Sequence, residues 1–361
     1  MNLLNFTTDF PDEASCKRKW KEIRDKEGII CPKCGGTAHY WKSDKESYEC
    51  KHCQYRQSLR ANTIMHGSYM PFRYWFIAFH LATSTKKSFS AKELQRQVGH
   101  KYYEPIWAMM HKIRTAMGNR DSHYTLSGII ELDEGFFTTE ISEKEKNKPL
   151  KRGRGSQKKT KVLVMAESVP VEKNEAKKHK DKPRKVNHIK MFVIDDLKSE
   201  TIDNKVVRHI EKTSIIDSDD STSYTNLSKL IAEHRPKVIP KELIGRSLPW
   251  VHIAISNAKR LFLDVFHEIK PEYLQNYLNE FCYKFNRRYF GESQFERVLV
   301  ASVSYRNSCT IIIKIIKKTP NLNKSGVFYP YFKSYKGKLS CFLAGFSNCL
   351  VCVARKARIM R

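Results

Sequence analysis

Four cysteines, Cys31-x2-Cys34 and Cys50-x2-Cys53 with fifteen residues between the pairs, have the spacing that two thiolate knuckles need to close a tetrahedral zinc site. Each pair must sit on a tight turn so that both sulfurs face one ion. Cys31-Pro32-Lys33-Cys34-Gly35-Gly36 supplies such a turn through its Pro and Gly residues, and Cys50-Lys51-His52-Cys53 repeats the design. His39-Tyr40-Trp41 and Tyr48-Glu49 read as two short strands around a polar turn, the layout of a zinc ribbon rather than a helical finger. Four cysteines fill the coordination sphere and leave no open position for water, so the zinc is expected to be structural and not catalytic.

A second set of reactive residues is acidic. Ser127-Gly128-Ile129-Ile130-Glu131-Leu132-Asp133-Glu134-Gly135 is an apolar run that ends in carboxylates, and Ser214-Ile215-Ile216-Asp217-Ser218-Asp219-Asp220 is another. Taken singly, acids after strands are ordinarily solvated turn residues. Brought together from separate strands, they can share two Mg²⁺, hard cations that prefer oxygen ligands, and such a pair can align water or a 3′-hydroxyl on a phosphodiester.

The elements that must position these acids are strands first. Lys161-Val162-Leu163-Val164-Met165-Ala166 and Lys190-Met191-Phe192-Val193-Ile194 are two further apolar runs. Four such runs, two of them delivering acids at their C-terminal ends, with helices between and after, imply a mixed α/β sheet with a site on its rim. Upstream, Pro71 at a first helical position opens a segment whose Phe72, Trp75, Phe76 and Phe79 recur at helical spacing, a core stripe. Ser90 can cap a helix with Glu93 three residues on, Gly99 ends it, and a second helix follows from about Tyr103 to Met117. This pair, with Lys101, His111, Lys112 and Arg114 outward, reads as a helix-turn-helix, although any helical hairpin would look similar.

The 361 residues are enough for two or three domains with a sizeable core, and they carry 66 Lys and Arg against 38 Asp and Glu, a net charge of +28. An excess this large points to a polyanionic partner, nucleic acid ahead of an acidic membrane surface. The densest basic runs are Lys151 to Lys161 and Lys177 to Lys185. Met1 to Phe10 is too polar and too short for a secretion signal, and the thiols fit a reducing cytoplasm, so the ten cysteines are read as four ligands and six free residues.

The order of these features, zinc ribbon, helix-turn-helix, Glu131-Leu132-Asp133-Glu134, Arg152-Gly153-Arg154-Gly155-Ser156, Asp219-Asp220-Ser221-Thr222-Ser223-Tyr224, His252 to Lys259, and Tyr277 to Arg288, resembles the bacterial insertion-sequence transposases of the IS1595 family. The resemblance covers roughly residues 14 to 305. It implies a multidomain chain: a zinc ribbon over 26–58, a helix-turn-helix DNA-binding region over 59–122, an α/β ribonuclease-H-like catalytic core of the DDE type over 123–305, and an atypical tail over 306–361. It makes Asp133 and Asp219 the Mg²⁺ (or Mn²⁺) ligands, with Asp219 preferred to Asp217 and Asp220 because it stands five residues before Tyr224.

At the third position, where many members carry Glu, this chain has Asn257, whose amide oxygen can reach a metal without adding charge; Lys259 fits a phosphate contact better than a metal. Asp264, seven residues on, is a candidate substitute carboxylate, with a solvated or salt-bridged role the commoner one for such a residue, and His252 is read either as a contact to DNA or the attacking water or as a packed histidine. Arg152, Arg154, Arg287 and Arg288 join Lys101, Lys112 and Arg114 as expected DNA contacts, with Arg287 and Arg288 projecting from the end of a helix that carries the stripe Leu274, Leu278, Phe281 and Phe285. Beyond about Arg306 the resemblance stops. Leu339 to Ala354 is apolar for sixteen residues, short of the roughly 20 of a membrane-spanning helix, and Cys341, Cys349 and Cys352 read as ordinary thiols.

The resulting expectation is a cytoplasmic, nucleoid-associated DNA transposase. It would bind the terminal inverted repeats of its own element and target double-stranded DNA, act as a homo-oligomer on DNA, and have no membrane partner. A catalytically decayed DNA-binding regulator, or a nuclease of the same fold, are the alternatives. The charge alone makes one prediction: DNA affinity falls steeply with salt, each neutralised phosphate adding roughly −0.9 to the log–log slope on duplex DNA. Binding titrations across salt concentrations check it, and a slope near zero would contradict an extended phosphate-contacting surface.

Overall fold

The computed structural model describes residues 1–143, 145–171, 184–237, 247–266 and 268–305. The tail from 306 on, with Cys341, Cys349 and Cys352, most of the Lys177 to Lys185 run and the side chain of Arg154 lie outside the described residues. The chain divides into two units: Met1–Phe6 with Tyr74–Phe295, and Thr7–Arg73 with the segment from Glu296 on. The divide is not the linear one that the motif order implies, because the helices after residue 74 belong to the same unit as the sheet.

In the smaller unit, helix α2 (Glu13–Glu27), which follows α1 (Leu3–Asp9), is set by a capping box in which the Asp12 side chain accepts from Ser15 N. Strands β1 (His39–Lys42), β2 (Ser47–Cys50) and β3 (Arg56–Ser58) form an antiparallel sheet in the order β1-β2-β3, so the ribbon has a third strand beyond the two read from sequence. Helix α2 is fastened to it by Arg24, whose guanidinium donates to the carbonyls of Ser58 at 3.0 Å and Leu59 at 2.7 Å, and by the Tyr48 hydroxyl, which donates to Asp25 at 2.8 Å.

The larger unit is built on β4 (Ile129–Thr138), β5 (Lys159–Pro170), β6 (Arg184–Ile194), β7 (Ile215–Asp219) and β8 (Glu233–Lys237), in the order β6-β5-β4-β7-β8. Strand β5 is antiparallel to both neighbours, whereas β4, β7 and β8 run parallel. This order, with only the second strand reversed, is that of a ribonuclease-H-like core. Alternation along β5 sends Val162, Val164 and Ala166 to one face and Leu163 and Met165 to the other, and all five are buried. A run that is apolar at every position is what a strand covered on both faces requires. On the first face Val251, Ala254 and Ala258 of α7 (Pro249–Val265) and Leu274 and Leu278 of α8 (Leu274–Asn286) complete the core; on the second, Ile202 and Val206 of α6 (Ser199–His209) do.

The helices ahead of the sheet are α3 (Phe72–Ser84), α4 (Ala91–Val98) and α5 (Tyr103–Ser122). Helix α3 starts one residue after Pro71, with the expected Phe72, Trp75, Phe76 and Phe79 buried. The Ser90 hydroxyl accepts from Glu93 N at 3.1 Å, and Gly99 takes the left-handed conformation (φ 65°) that ends α4. The expected outward face of α5 is corrected. Helix α8 packs on it, so His111 is buried, and Arg114 is 1% exposed with its Nε 2.7 Å from Oε2 of Glu280, itself 2% exposed.

Burial raises the carboxyl of Glu280, yet the positive charges of Arg114 and Lys284 and the bond from Arg114 outweigh it and hold its pKa below the ordinary value. Removing one partner leaves the other as an uncompensated buried charge. Arg114→Met is therefore expected to destabilise the protein by about 3–5 kcal/mol, with Arg114→Met/Glu280→Leu recovering most of the loss. Denaturant unfolding of the three proteins tests this, and a silent single substitution would contradict it.

Candidate active site and zinc centre

The four cysteine sulfurs lie within 4.8 Å of one another. Cys31 Sγ is 3.5 Å from Cys53 Sγ, and Cys34 Sγ is 3.5 Å from Cys50 Sγ. A zinc ion bonded to four thiolates at about 2.3 Å sets its sulfurs about 3.8 Å apart, so the residues fit the ion. The turns form as the sequence directs: Gly35 N donates to the Cys31 carbonyl at 2.9 Å and Gln54 N to the Cys50 carbonyl at 2.9 Å, each closing its knuckle. Gly35 has φ 81°, a conformation that favours glycine, and at Gly36 a Cβ would come 3.3 Å from Cys34 Sγ.

The acids of the larger unit meet through strand register. Strands β4 and β7 are parallel, with Glu131 opposite Asp217 and Leu132 opposite Ser218. One residue further along this register Asp133 comes level with Asp219; Asp219 ends β7 as expected, but Asp133 lies in the middle of β4, which runs on to Thr138, so only one of the two acids sits at a strand end. Side chains alternate along a strand, so Glu131, Asp133, Asp217 and Asp219 share one face of the sheet, the face under α7. Among the three aspartates considered for the second position, Asp217 is occupied at 3.1 Å by Lys237 of β8, and Asp220 is exposed beyond the strand end. Only Asp219 combines the right face with the register next to Asp133.

Glu134 points to the opposite face, where its Oε1 accepts the hydroxyl of buried Tyr224 at 2.7 Å. The phenol is held protonated, first by burial and then by the negative charges of Glu134, Asp133 and Asp219. Tyr224, whose spacing from Asp219 marks that residue in the sequence, is in the structure the neutral donor that braces the acidic strands from the other face.

Helix α7 covers the acids. Its approach to β4 depends on Gly135, where a Cβ would stand 3.3 Å from Ile255 Cγ1 and 3.1 Å from the Phe137 ring. Glu131 is buried beneath the start of α7, and its Oε2 accepts from Trp250 N at 2.7 Å and Val251 N at 3.0 Å. Burial lifts its pKa to about 7, against the two amide donors and with Asp217 adding to the rise.

One flank of α7 faces Asp133. His252 Nδ1 is 3.7 Å from Asp133 Oδ2, with the imidazole pKa lowered by burial. Lys259, seven residues on, has its pKa lowered by burial and by Lys159, while Asp133 pulls it back up. Asn257 is exposed and lies roughly 140° round the helix from His252 at about 100° per residue, next to the flank rather than on it. Asp264 is taken up by an exposed salt bridge to Lys87 at 2.7 Å.

The expected DNA-contacting residues divide. Lys101 and Arg152 are exposed, and Lys112 is half-buried. Arg114 is removed from the set by its bond to Glu280. Arg287 and Arg288 are corrected as well: Arg287 ion-pairs with Asp121 and lies over the Tyr283 ring, and Arg288 donates to the carbonyls of Val186, Asn187 and Phe285. Arg287 braces the end of α8 against α5 and Arg288 braces it against β6, instead of projecting from it.

Residues 125–286 match the family model described as an ISXO2-like transposase domain, and residues 11–56 match the transposase zinc-ribbon domain. Among solved structures, a pre-cleavage Mos1 transpososome aligns at 12% identity over 63% of this chain and 77% of that chain, with a TM-score of 0.25. The Mos1 strand transfer complex aligns at 12% identity over 66% and 76%, also at 0.25. No curated protein matches the chain.

The sulfur cluster predicts one zinc per chain in protein purified under reducing conditions. Cys31→Ser is expected to unfold the ribbon and weaken DNA binding while the sheet unit keeps its fold. Metal analysis with circular dichroism reads both, and zinc-free protein with an intact ribbon would contradict the assignment.

Proposed function

The chain belongs to the IS1595 family of transposases, and from that premise we propose that this DNA transposase binds the terminal inverted repeats of its own insertion sequence and cuts and joins strands at Asp133 and Asp219. The observation that carries the proposal is the register of β4 and β7, which sets these two carboxylates side by side on one face. Two hard anionic oxygen donors on adjacent parallel strands suit Mg²⁺ or Mn²⁺. When bound, such ions supply an electrophilic clamp on the phosphodiester and make water or a 3′-hydroxyl a competent nucleophile.

The chain's own residues do the rest. Asp133 and Asp219 would hold the ions, and Asn257, exposed on α7 next to the flank that faces Asp133, is the proposed third member through its amide oxygen. Lys259 contacts phosphate, and His252 orients the attacking oxygen from its place beside Asp133. DNA is gripped by the ribbon and by the α4–α5 pair acting as a helix-turn-helix. Exposed Tyr102, Tyr103 and Glu104 at the start of α5 support that reading, because such motifs read bases with the N-terminal residues of the second helix. Lys101, Lys112, Arg152 and Arg154 supply phosphate contacts, and copies of the chain pair the two element ends. No helix among the described residues is long and apolar enough to cross a membrane, and a protein of this activity works where the bacterial chromosome is.

Asp133→Asn and Asp219→Asn are each expected to cost about 4 kcal/mol of transition-state stabilisation, roughly a thousandfold in cleavage rate, with binding to element ends nearly unchanged. Asn257→Ala lowers the rate, and Asn257→Glu retains activity. Cleavage assays on end-containing duplexes with Mg²⁺ decide it. Full activity in Asp219→Asn, with loss in Asp217→Asn or Asp220→Asn, would move the second ligand; wild-type protein that binds ends and never cuts them would favour the decayed regulator.

A further inference from the structure

The N-terminus of α7 lacks its own cap. Its N-cap residue is Leu248, in the left-handed conformation (φ 56°), with no side-chain cap bond. Pro249 has no amide hydrogen, and the first amide to bond within the helix is that of His252, to the Leu248 carbonyl at 3.3 Å. Between them the amides of Trp250 and Val251 need a partner from outside, since the first turn of any helix leaves its N–H groups unpaired. Both are satisfied by one oxygen, Oε2 of Glu131. That carboxylate is 7% exposed and comes from β4, two residues before Asp133 on the same face of the strand.

We propose that Glu131 is a positioning residue that ties the strand carrying Asp133 to the helix carrying His252, Asn257 and Lys259. The connection is short. From Glu131 the strand leads in two residues to Asp133, and from the bonded Val251 the helix leads in one residue to His252, which returns to Asp133 at 3.7 Å. In its ionised form the carboxylate also meets the positive end of the helix dipole. Asp217, opposite Glu131 in register, still repels it, and Lys237, 3.1 Å from Asp217, offsets part of that repulsion. Without Glu131 the two amides lose this partner in a buried setting, the first turn of α7 opens, and the helix residues lose their place beside Asp133. The inference rests on the reading of Asp133 as a metal ligand, but its structural half can be tested without catalysis.

The experiment uses the full chain and compares wild type, Glu131→Ala, Glu131→Gln, Glu131→Asp and Asp133→Asn by hydrogen-exchange mass spectrometry and by single-turnover cleavage of an end duplex with Mg²⁺. Gln keeps an oxygen that can accept both amides; Ala keeps none. Glu131→Ala is expected to raise exchange over residues 250–259 by about tenfold while the β5 segment stays protected, as a local opening does. Cleavage falls by about tenfold or more with end binding within about twofold, and Glu131→Gln restores both to within about threefold of wild type. Asp133→Asn is the reference that separates the two claims, losing cleavage with no faster exchange in α7. If Glu131→Ala does not fold, Glu131→Asp, one methylene too short to reach both amides, must show the same local rise. The proposal is overturned if α7 keeps wild-type protection in the Ala or Asp protein, or if Glu131→Gln protects the helix and still fails to cleave. The latter result would make the carboxylate's charge, and not its grip on the helix, the essential property.

Discussion

Two carboxylates on neighbouring parallel strands, Asp133 in the middle of β4 and Asp219 at the end of β7, repel each other, and the rest of the acidic face has to be arranged around that repulsion. The register of β4 and β7 sets Asp133 beside Asp219. Glu131 and Asp217, one pleat back on the same face, would add two more negative charges to the same low-dielectric volume. Each is handled separately: Asp217 by Lys237 on the next strand, and Glu131 by two helix amides. Asp133 and Asp219 make up the proposed acidic site, with His252 beside Asp133 and with Tyr224 and Glu134 bracing the strands from behind. A divalent ion is the partner that such an arrangement suits, because its charge turns the repulsion into attraction.

The helices around the sheet follow from the need to hold that face still. Helix α7 lies close to β4 because Gly135 has no side chain, and α8 fills the neighbouring part of the same core. Helix α5 then covers α8, and the contact contains the buried Arg114–Glu280 pair. At the far end of α8, Arg287 and Arg288 spend their donors on Asp121 and on backbone carbonyls near β6. Charges that look like DNA contacts in a basic sequence are here the polar fastenings of a three-layer stack. The phosphate-binding surface must therefore be drawn from the lysines and arginines that remain exposed.

Legibility in the sequence tracks how local the determining physics is. The zinc knuckles were readable because four ligands and their turns are fixed by residues a few positions apart, and the Ser90 cap and Gly99 stop for the same reason. Strand β5 announced itself by an unbroken apolar run. Strand β8 did not: Glu233-His234-Arg235-Pro236-Lys237 is polar, and its Pro is tolerated only because the strand lies at the edge of the sheet. The burial of Arg114 was invisible because its partner, Glu280, lies 166 residues away, and no local pattern distinguishes an arginine that will meet a buried carboxylate from one that will meet solvent. Glu131 was in plain view beside Asp133, but its role depends on a helix start more than a hundred positions later, where Leu248 and Pro249 leave two amides without a local acceptor.

The central claim, that Asp133 and Asp219 together form the cation site, is tested most directly by soaking crystals of the full chain with Mn²⁺ and locating the metal by anomalous scattering. The expected result is a peak between Asp133 in the middle of β4 and Asp219 at the end of β7, with carboxylate oxygens of both aspartates at about 2.0–2.2 Å, the distance expected for a small hard divalent ion on oxygen. Manganese held at Asp217 or Asp220, or bound without both Asp133 and Asp219, would contradict it.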